Sequence, residues 1–560
     1  MATRISKPVR PGTVIRFEGE ATPVVPPSVA ETVALPIVHN WGPVNVPVLC
    51  SSFPEFESVY GDGATPGRTA VLGAFAGQAL PGQAGAGGVY VYRMAKQAAP
   101  AKATLSTNLA LLAVHTGTRG NGLTAILEND PSGDALKQQF RLLLNNGQVE
   151  RYSFTKAQPQ QLVDAINQRS NYVHAGLGVV SDTEGTVTAQ ARSEGGNVVA
   201  VDIAGASVPH SIAWGDGTTD IEEAPNSGGR HTYATSGAQT VTVTQLGPTP
   251  PPAMTLAVTL PWAAQTALAN GTATLAGGID TALPLTVTEW LAALTALEYL
   301  PFSVVAPYDL TDPAIRASVV SWAKGQDSAN RPVMLVLGGS VGETVDQAIT
   351  DSLSINDPHV VRLAGGYFQD DVLGTAVSTS QLAPRVAGML ASLGDANSLT
   401  FKPLGGLTYV GQGYANDQIE SAIQNGVTTL AVSTNPAAPL RIERGLTTFT
   451  TKNDPTRPYD FFSDPRLVRL VDLFIRRMKE WGDNTMIGNV PVNDDSRTAL
   501  RARARTEIDE LETRGLIIPG TDYLDVPVPT DPQLMDSLIY EFGFQCARTA
   551  LYIFGFGVVR

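Results

Sequence analysis

The chain is poor in the residues that most often announce a chemistry. It has two cysteines, Cys50 and Cys546, in 560 residues, too few for a disulfide framework or a zinc ribbon. Its six histidines stand singly, with no HExxH and no i, i+4 pair, so no metal or other cofactor is expected. Charged residues make up 16% of the chain, against about 25% in an average domain. The net charge of −14 leaves no basic face for a nucleic acid, and no nucleic-acid partner is expected. Every apolar stretch breaks well before the roughly 20 residues of a membrane span. The opening "MATRISKPVRPGTVIRF" has no apolar core of a signal peptide. The sequence therefore reads as made in a cytoplasm, with no membrane insertion.

What is present is apolar residue, 43% of the total, and enough length for roughly three or four domains. With charge scarce, the polar surface must come from Thr, Ser, Asn, Gln and backbone, as in β-rich proteins and large assemblies. Both ends read as lone strands. Val14, Ile15, Arg16 and Phe17 alternate after two prolines. The last twelve residues, "TALYIFGFGVVR", are aromatic and β-branched, with Leu551, Tyr552, Ile553, Phe554, Phe556, Val558 and Val559 in one run. An unpaired strand of that kind invites pairing with another chain.

Between the ends the rhythm changes several times. "VALPIVHNWGPVNVPVL" and "GGVYVYRM" read as strands, the second with Tyr90 and Tyr92 on one face and Val89 and Val91 on the other. "GRTAVLGAFAGQAL" between them has a helical period. Residues 101–185 read as a small β domain, with Asn145-Asn146-Gly147 a hairpin signal between two alternating runs. From 285 to 435 helices and strands alternate, which predicts an α/β layer with a partly parallel sheet. Asp312 is placed to cap one helix, with Pro313 at its first position, and another helix is predicted from Pro384. Two amphipathic helices, 464–481 and 495–514, precede the final strand.

No catalytic constellation emerges. "GGSVG" (338–342) fits G-x-S-x-G between a strand and a helix, as a nucleophile elbow would. Only His359 follows Ser340, however, and Asp346, Asp351 and Asp357 crowd the short stretch between them. The glycine-rich run 77–88 lacks the Lys-Ser/Thr of a phosphate loop. "LRARARTEIDEL" sets arginines beside acids on a helix, either a solvated mixed-charge face or a face that docks on an acidic partner.

Two resemblances can be read from the residues. Trp214-Gly215-Asp216-Gly217, followed by His231-Thr232-Tyr233, Gly237 and Val241-Thr242-Val243, resembles a PKD-type immunoglobulin-like repeat. Trp214, Asp216 and Tyr233 are assigned to a small sandwich core, and the turn around Asp216 needs positive φ angles. Over most of its length the chain resembles contractile phage tail sheath proteins, of phages or phage-tail-like bacteriocins. "RPGTVIRF", "HTGTRGNGLTAILEN" (115–129), "ATLAGGID" (273–280), the stretch 398–430 with "YANDQIESAIQNGVTTL", "RIERGLTTFTT" (441–451) and 486–517 carry it in order.

That resemblance implies a multidomain α+β chain. Its parts would be an extended arm (1–22), the N-terminal part of the sheath core (23–100) and a β-rich outer domain (101–186). A PKD/Ig-like insertion with a Pro-rich linker (187–258) would follow, then the α/β sheath domain (259–435), a C-terminal domain (436–548) and a strand arm (549–560). The two arms would be handed to neighbouring copies, which would build hexameric rings, in a helical stack, around an inner tail tube. The implied partners are further copies, the tail tube protein, and baseplate and tail terminator proteins. The implied place is the virion tail, after assembly in the host cytoplasm. Arg497, Arg501 and Arg505 mark the candidate tube-facing helix. The rival readings are an α/β serine hydrolase using Ser340 and a carbohydrate-binding surface protein built on the PKD-like stretch.

Overall fold

"TVALPI" and "MLVL" are apolar at nearly every position, as a strand covered on both faces must be, and both are buried throughout. They lie in one nine-stranded sheet. Its order is Pro47–Cys50, Gly88–Arg93, Thr32–Ile37, Val304–Val305, Met334–Leu337, Val360–Ala364, Thr428–Val432, Leu440–Arg444 and Pro403–Leu404. The run from Gly88–Arg93 to Thr428–Val432 is parallel, and antiparallel strands close both edges. The computed structural model describes residues 31–547, apart from 77–84, 106–108, 185–186, 196, 205–208, 223–227, 247–252, 261–267, 330, 366–367, 371–375, 395–396, 405–406, 410–413, 433–439, 451–459, 529–537 and 539.

Alternation divides the core between the two faces of this sheet. Val89 and Val91 pack with Val304, Val336 and the helices Pro66–Ala76 and Thr379–Ser392. Tyr90 and Tyr92 face the other way, among Val305, Leu335 and the helices Val287–Leu297 and Pro313–Ser328. Asp312 caps the second of these, accepting from the Ala314 amide at 2.8 Å and the Ile315 amide at 3.1 Å. The helix predicted from Pro384 begins earlier, at Thr379, capped by Ser378. Pro384 cannot donate to the Ser380 carbonyl four residues back, and the Asp309 amide donates to it instead at 3.3 Å.

Outside this layer lie antiparallel sheets. Gly271–Thr274, Leu123–Asn129, Lys137–Leu144 and Gly147–Thr155 form one. Its hairpin turns through Asn145 (φ 49°) and Asn146 (φ 69°), the two positive φ values of a type I′ turn. A second has the order Gly229–Thr232, Val198–Ala204, Val187–Gly195, Val173–Glu184, Leu109–Thr116, Pro100–Leu105. A third, Thr219–Glu222, His210–Ala213, Gly237–Gln245 and Met254–Leu260, packs on part of the second through Val199, Val201, Ile212, Trp214, Val241 and Leu256.

Three expected divisions differ from the structure. The one at 186/187 falls inside a hairpin, because Val173–Glu184 pairs with Val187–Gly195; the sandwich therefore shares a sheet with the outer β region. The one at 258/259 comes too early, since Gly271–Thr274 still pairs with Leu123–Asn129. The one at 435/436 also comes too early, because Leu440–Arg444 belongs to the central sheet. Glycine- and proline-rich turns look alike in sequence whether they join two strands or two domains. Beyond them, the helices Pro465–Trp481 and Asp494–Thr513 enclose a separate core with Phe474, Met486, Ile508, Ile517 and Cys546. Both cysteines are buried and neither forms a disulfide among the described residues.

Candidate assembly surfaces

The chain leaves the central sheet after Gly88–Arg93 and returns near Leu285, and two of the sequence phrases meet at that stem. Thr118 donates from its amide and its hydroxyl to Asp280, both at 2.7 Å. Asn121 Nδ2 donates to the Gly278 carbonyl at 3.0 Å, and the Gly278 amide donates back to Asn121 Oδ1 at 2.8 Å. Arg93, fully buried, donates to the carbonyls of His39 (2.8 Å), Gly42 (2.6 Å) and Thr116 (2.9 Å). Burial pushes its guanidinium down to about 10, against the opposing charges of Asp280 and Tyr60. Burial, followed by the Arg93 charge, pushes the imidazoles of both His39 and His115 down to about 4. A buried arginine held by three carbonyls orients the outer sheets on the core; nothing local marks it, since a lone arginine at a strand end reads as solvated.

The WGDG turn and the HTY strand form one hydrogen-bonded cluster. Trp214 is buried and donates from Nε1 to Asp220 Oδ2 at 2.8 Å; its carbonyl accepts from the Tyr233 hydroxyl at 2.7 Å. His231 stacks on Trp214 at 5.1 Å and meets Tyr233 edge-on at 4.6 Å. Gly215 (φ 86°) and Gly217 (φ 97°) have the positive φ angles that the turn needs. Asp216 lies on the exposed rim, not in the core. Hydrogen bonds from the Thr218 hydroxyl (2.6 Å) and from His231 Nε2 (2.7 Å) hold its carboxyl down to about 2.

On the helix Asp494–Thr513 each of the three singled-out arginines meets an acid of the same chain. Arg497 pairs with Asp494 at 2.8 Å, Arg501 with Asp525 at 3.5 Å, and Arg505 with Asp509 at 2.7 Å and also with Asp522. They share one exposed or half-exposed face, i to i+4 to i+8. Behind this helix Tyr523–Asp525 pairs with Glu541–Gly543 in a sheet of two strands. The arm residues Val14, Ile15, Arg16 and Phe17, and Leu551, Tyr552, Ile553, Phe554, Phe556, Val558 and Val559, lie outside the described residues.

The hydrolase arrangement is contradicted. Ser340 follows the carboxyl end of Met334–Leu337, and His359 precedes Val360, which lies beside Leu335 in the neighbouring parallel strand. Serine and histidine therefore sit at opposite ends of the sheet. His359 is buried and hydrogen-bonds Asp472 at 3.0 Å. Asp351 is engaged by Arg316 (2.5 Å) and Arg362 (2.6 Å). Among the described residues no group of three His, Cys, Asp or Glu could hold a metal ion, and no helix is long and apolar enough to cross a membrane.

Residues 284–448 match the phage tail sheath protein central domain, the part of the chain built around the parallel strands. The tail sheath protein of Staphylococcus phage Twort is 26% identical over 223 residues, 39% of this chain and 36% of that protein. The putative tail sheath protein of Enterococcus phage phiEF24C is 24% identical over 36% of this chain and 35% of its own length. The chain thus spans about a third of the length of the curated relatives it matches. The crystal structure of a sheath tail protein from Desulfitobacterium hafniense has the same fold, with a TM-score of 0.60 at 18% identity, over 96% of this chain and 100% of that one. Parallel core, ordered sequence phrases and fold agree: residues 284–448 match the phage tail sheath central domain, and the chain is similar to phage tail sheath proteins in sequence and in fold.

Proposed function

We propose that the chain is the structural subunit of a contractile tail sheath. Copies stack as six-fold rings around an inner tail tube, and the stack shortens and widens to drive the tube through a host cell envelope. The observation that carries this reading is an unfinished sheet. Among the described residues Tyr523–Asp525 and Glu541–Gly543 pair only with each other, and a pair of strands is marginal in water without a third. The same chain ends in two segments with strand character, 14–17 and 551–559. Adding such a segment from a neighbour satisfies main-chain donors and acceptors and gives specificity through alternate side chains. A contact of this head-to-tail kind that does not close on itself builds a helical array.

The globular bodies would rotate and slide while the arms keep copies tethered, a rearrangement between two packings. The tail tube, baseplate and terminator are the other partners of this reading, and the virion tail is its place. The face bearing Arg497, Arg501 and Arg505 is the candidate contact with the tube. The PKD-like sandwich would point outward, where bulk does not obstruct stacking. Negative-stain microscopy of the full chain and of a version ending at Arg548 tests this. Striated tubes or stacked rings from the full chain alone support it; monodisperse particles from both contradict it.

A further inference from the structure

Helix Pro465–Trp481 buries two different faces. Leu467, Leu470, Phe474 and Met478 enter the C-terminal core. A second stripe, Arg466, Arg469, Asp472 and Arg476, recurs at helical spacing and points away from that core. Three of these four are buried: Arg466, Arg469 and Asp472. Arg469 Nη1 donates to the carbonyls of Leu390 and Gly394, the second at 3.1 Å, at the end of the helix Thr379–Ser392. Asp472 Oδ1 meets His359 Nε2 at 3.0 Å, just before the strand Val360–Ala364. Arg476 Nη2 donates to the Pro332 carbonyl, just before Met334–Leu337. At the other end of the stripe, Arg466 Nη2 donates to the carbonyl of Ala547, the last described residue before the C-terminal stretch 549–560.

The arm root also packs into the C-terminal core through Cys546, and the Gln545 amide donates to the Thr521 hydroxyl at 3.2 Å. Ala547 donates to the Leu516 carbonyl at 2.9 Å, Ile518 donates to the Gln545 carbonyl at 2.8 Å, and Ile517 bridges Cys546. Apolar contact is non-directional, whereas a charge-assisted bond to a carbonyl has a fixed direction. Burying charges gains little stability over an apolar stripe of the same volume. A charged stripe that runs from the arm root to the central sheet therefore points to a directional role.

We propose that helix Pro465–Trp481 is a strut that carries a pull on the C-terminal arm into the central sheet, with Arg466 as the positioning residue that joins arm to strut. The origin of the pull rests on the strand-addition reading above; the coupling itself does not. During shortening of the stack, a displaced neighbour holding residues 549–560 would load the Ala547 carbonyl. Arg466 passes that load along the helix to Leu390, Gly394, His359 and Pro332. The globular body would then follow its arm as one piece instead of shedding its last residues.

Single-molecule pulling on the full chain tests this. One handle sits at a Ser328→Cys site on the exposed end of the helix Pro313–Ser328, the other on a tag after Arg560. In the wild type the first rupture should release the C-terminal helices and the arm root together. In Arg466→Leu an earlier rupture, at lower force, should release only the stretch after Leu516. Arg466→Lys keeps a buried cation and one donor and carries the test should the leucine variant not fold; it should rupture between the two. Identical first ruptures, in force and released length, in wild type and whichever variant folds would overturn the proposal. Negative-stain images of the same preparations separate the two ideas: absence of polymers from the wild type tells against strand addition and leaves the force result standing.

Discussion

Replacing Gly117 by alanine strikes the stem where the outer sheets meet the core. Gly117 has φ +120°, and a Cβ there would lie 2.0 Å from the Asn40 carbonyl oxygen and 2.6 Å from its carbon. Ordinary contact is roughly 3.5 Å, so the two backbones must separate by more than an ångström. That movement disturbs the neighbouring Thr116 carbonyl, which accepts from Arg93 at 2.9 Å, and the Thr118 bonds to Asp280. The forbidden φ costs about 1–3 kcal/mol and overpacking about 1–3 kcal/mol. The stiffer unfolded chain returns about 0.4–1 kcal/mol. A net loss of about 1–5.6 kcal/mol follows, or roughly 5- to 10,000-fold in local opening at 1.4 kcal/mol per tenfold. Hydrogen exchange read by mass spectrometry on peptides covering 39–42 and 115–122 should accelerate by that factor. Peptides from the strand Met334–Leu337 serve as the internal reference. Wild-type exchange at the stem would refute the reasoning.

Further outcomes are expected. Tyr233→Phe leaves the buried Trp214 carbonyl without its 2.7 Å donor and should destabilise the sandwich by about 1–3 kcal/mol, read as loss of exchange protection in Gly237–Gln245. His39 and His115 are held neutral by the fold, at about 4 against 6.5. Their contribution to stability is therefore present above about 6.5 and lost as pH falls toward 4, by up to about 3 kcal/mol each; exchange at the stem should rise in acid. His359 moves the other way. Burial lowers its affinity for protons, but Asp472, with Asp327 and Asp357, raises it further. Its contribution is whole below the ordinary histidine value and disappears as pH rises through the folded one, so exchange near 359 and 472 should rise in alkali. Arg501→Ala removes an exposed pair at 3.5 Å and should change stability by less than about 1 kcal/mol, read by thermal denaturation. Under the proposed function, Arg501→Glu should nonetheless weaken cosedimentation with purified tail tube.

Local chemistry was legible where one residue type decides one geometry. Asp312-Pro313 announced a helix start, Asn145-Asn146-Gly147 a hairpin, and the Tyr/Val alternation at 89–92 the two faces of a covered strand. The positive φ angles around Asp216 were legible for the same reason. Pro384 misled because proline favours a helix start, while here a distant amide from Asp309 serves the carbonyl that proline leaves free. Long-range pairing was not legible: Thr32–Ile37 lies beside Val304–Val305, and nothing local to either strand names the other. The stem and the strut escaped notice for a common reason. Arginine and aspartate in a sequence read as solvated, and only the fold shows that Arg93, Arg466, Arg469 and Asp472 are buried against carbonyls or a histidine.

The central claim is that the C-terminal arm of one copy completes the two-stranded sheet of another, and mixed single-cysteine variants test it most directly. One preparation carries Tyr523→Cys or Glu541→Cys, one on each strand of the sheet; the other carries Phe554→Cys. The native thiols are buried and should stay silent under mild oxidation. The account predicts a reducible product of twice the chain mass that contains one copy of each variant. That product should form only when the two preparations are assembled together. No such product from the mixed assembly would contradict it.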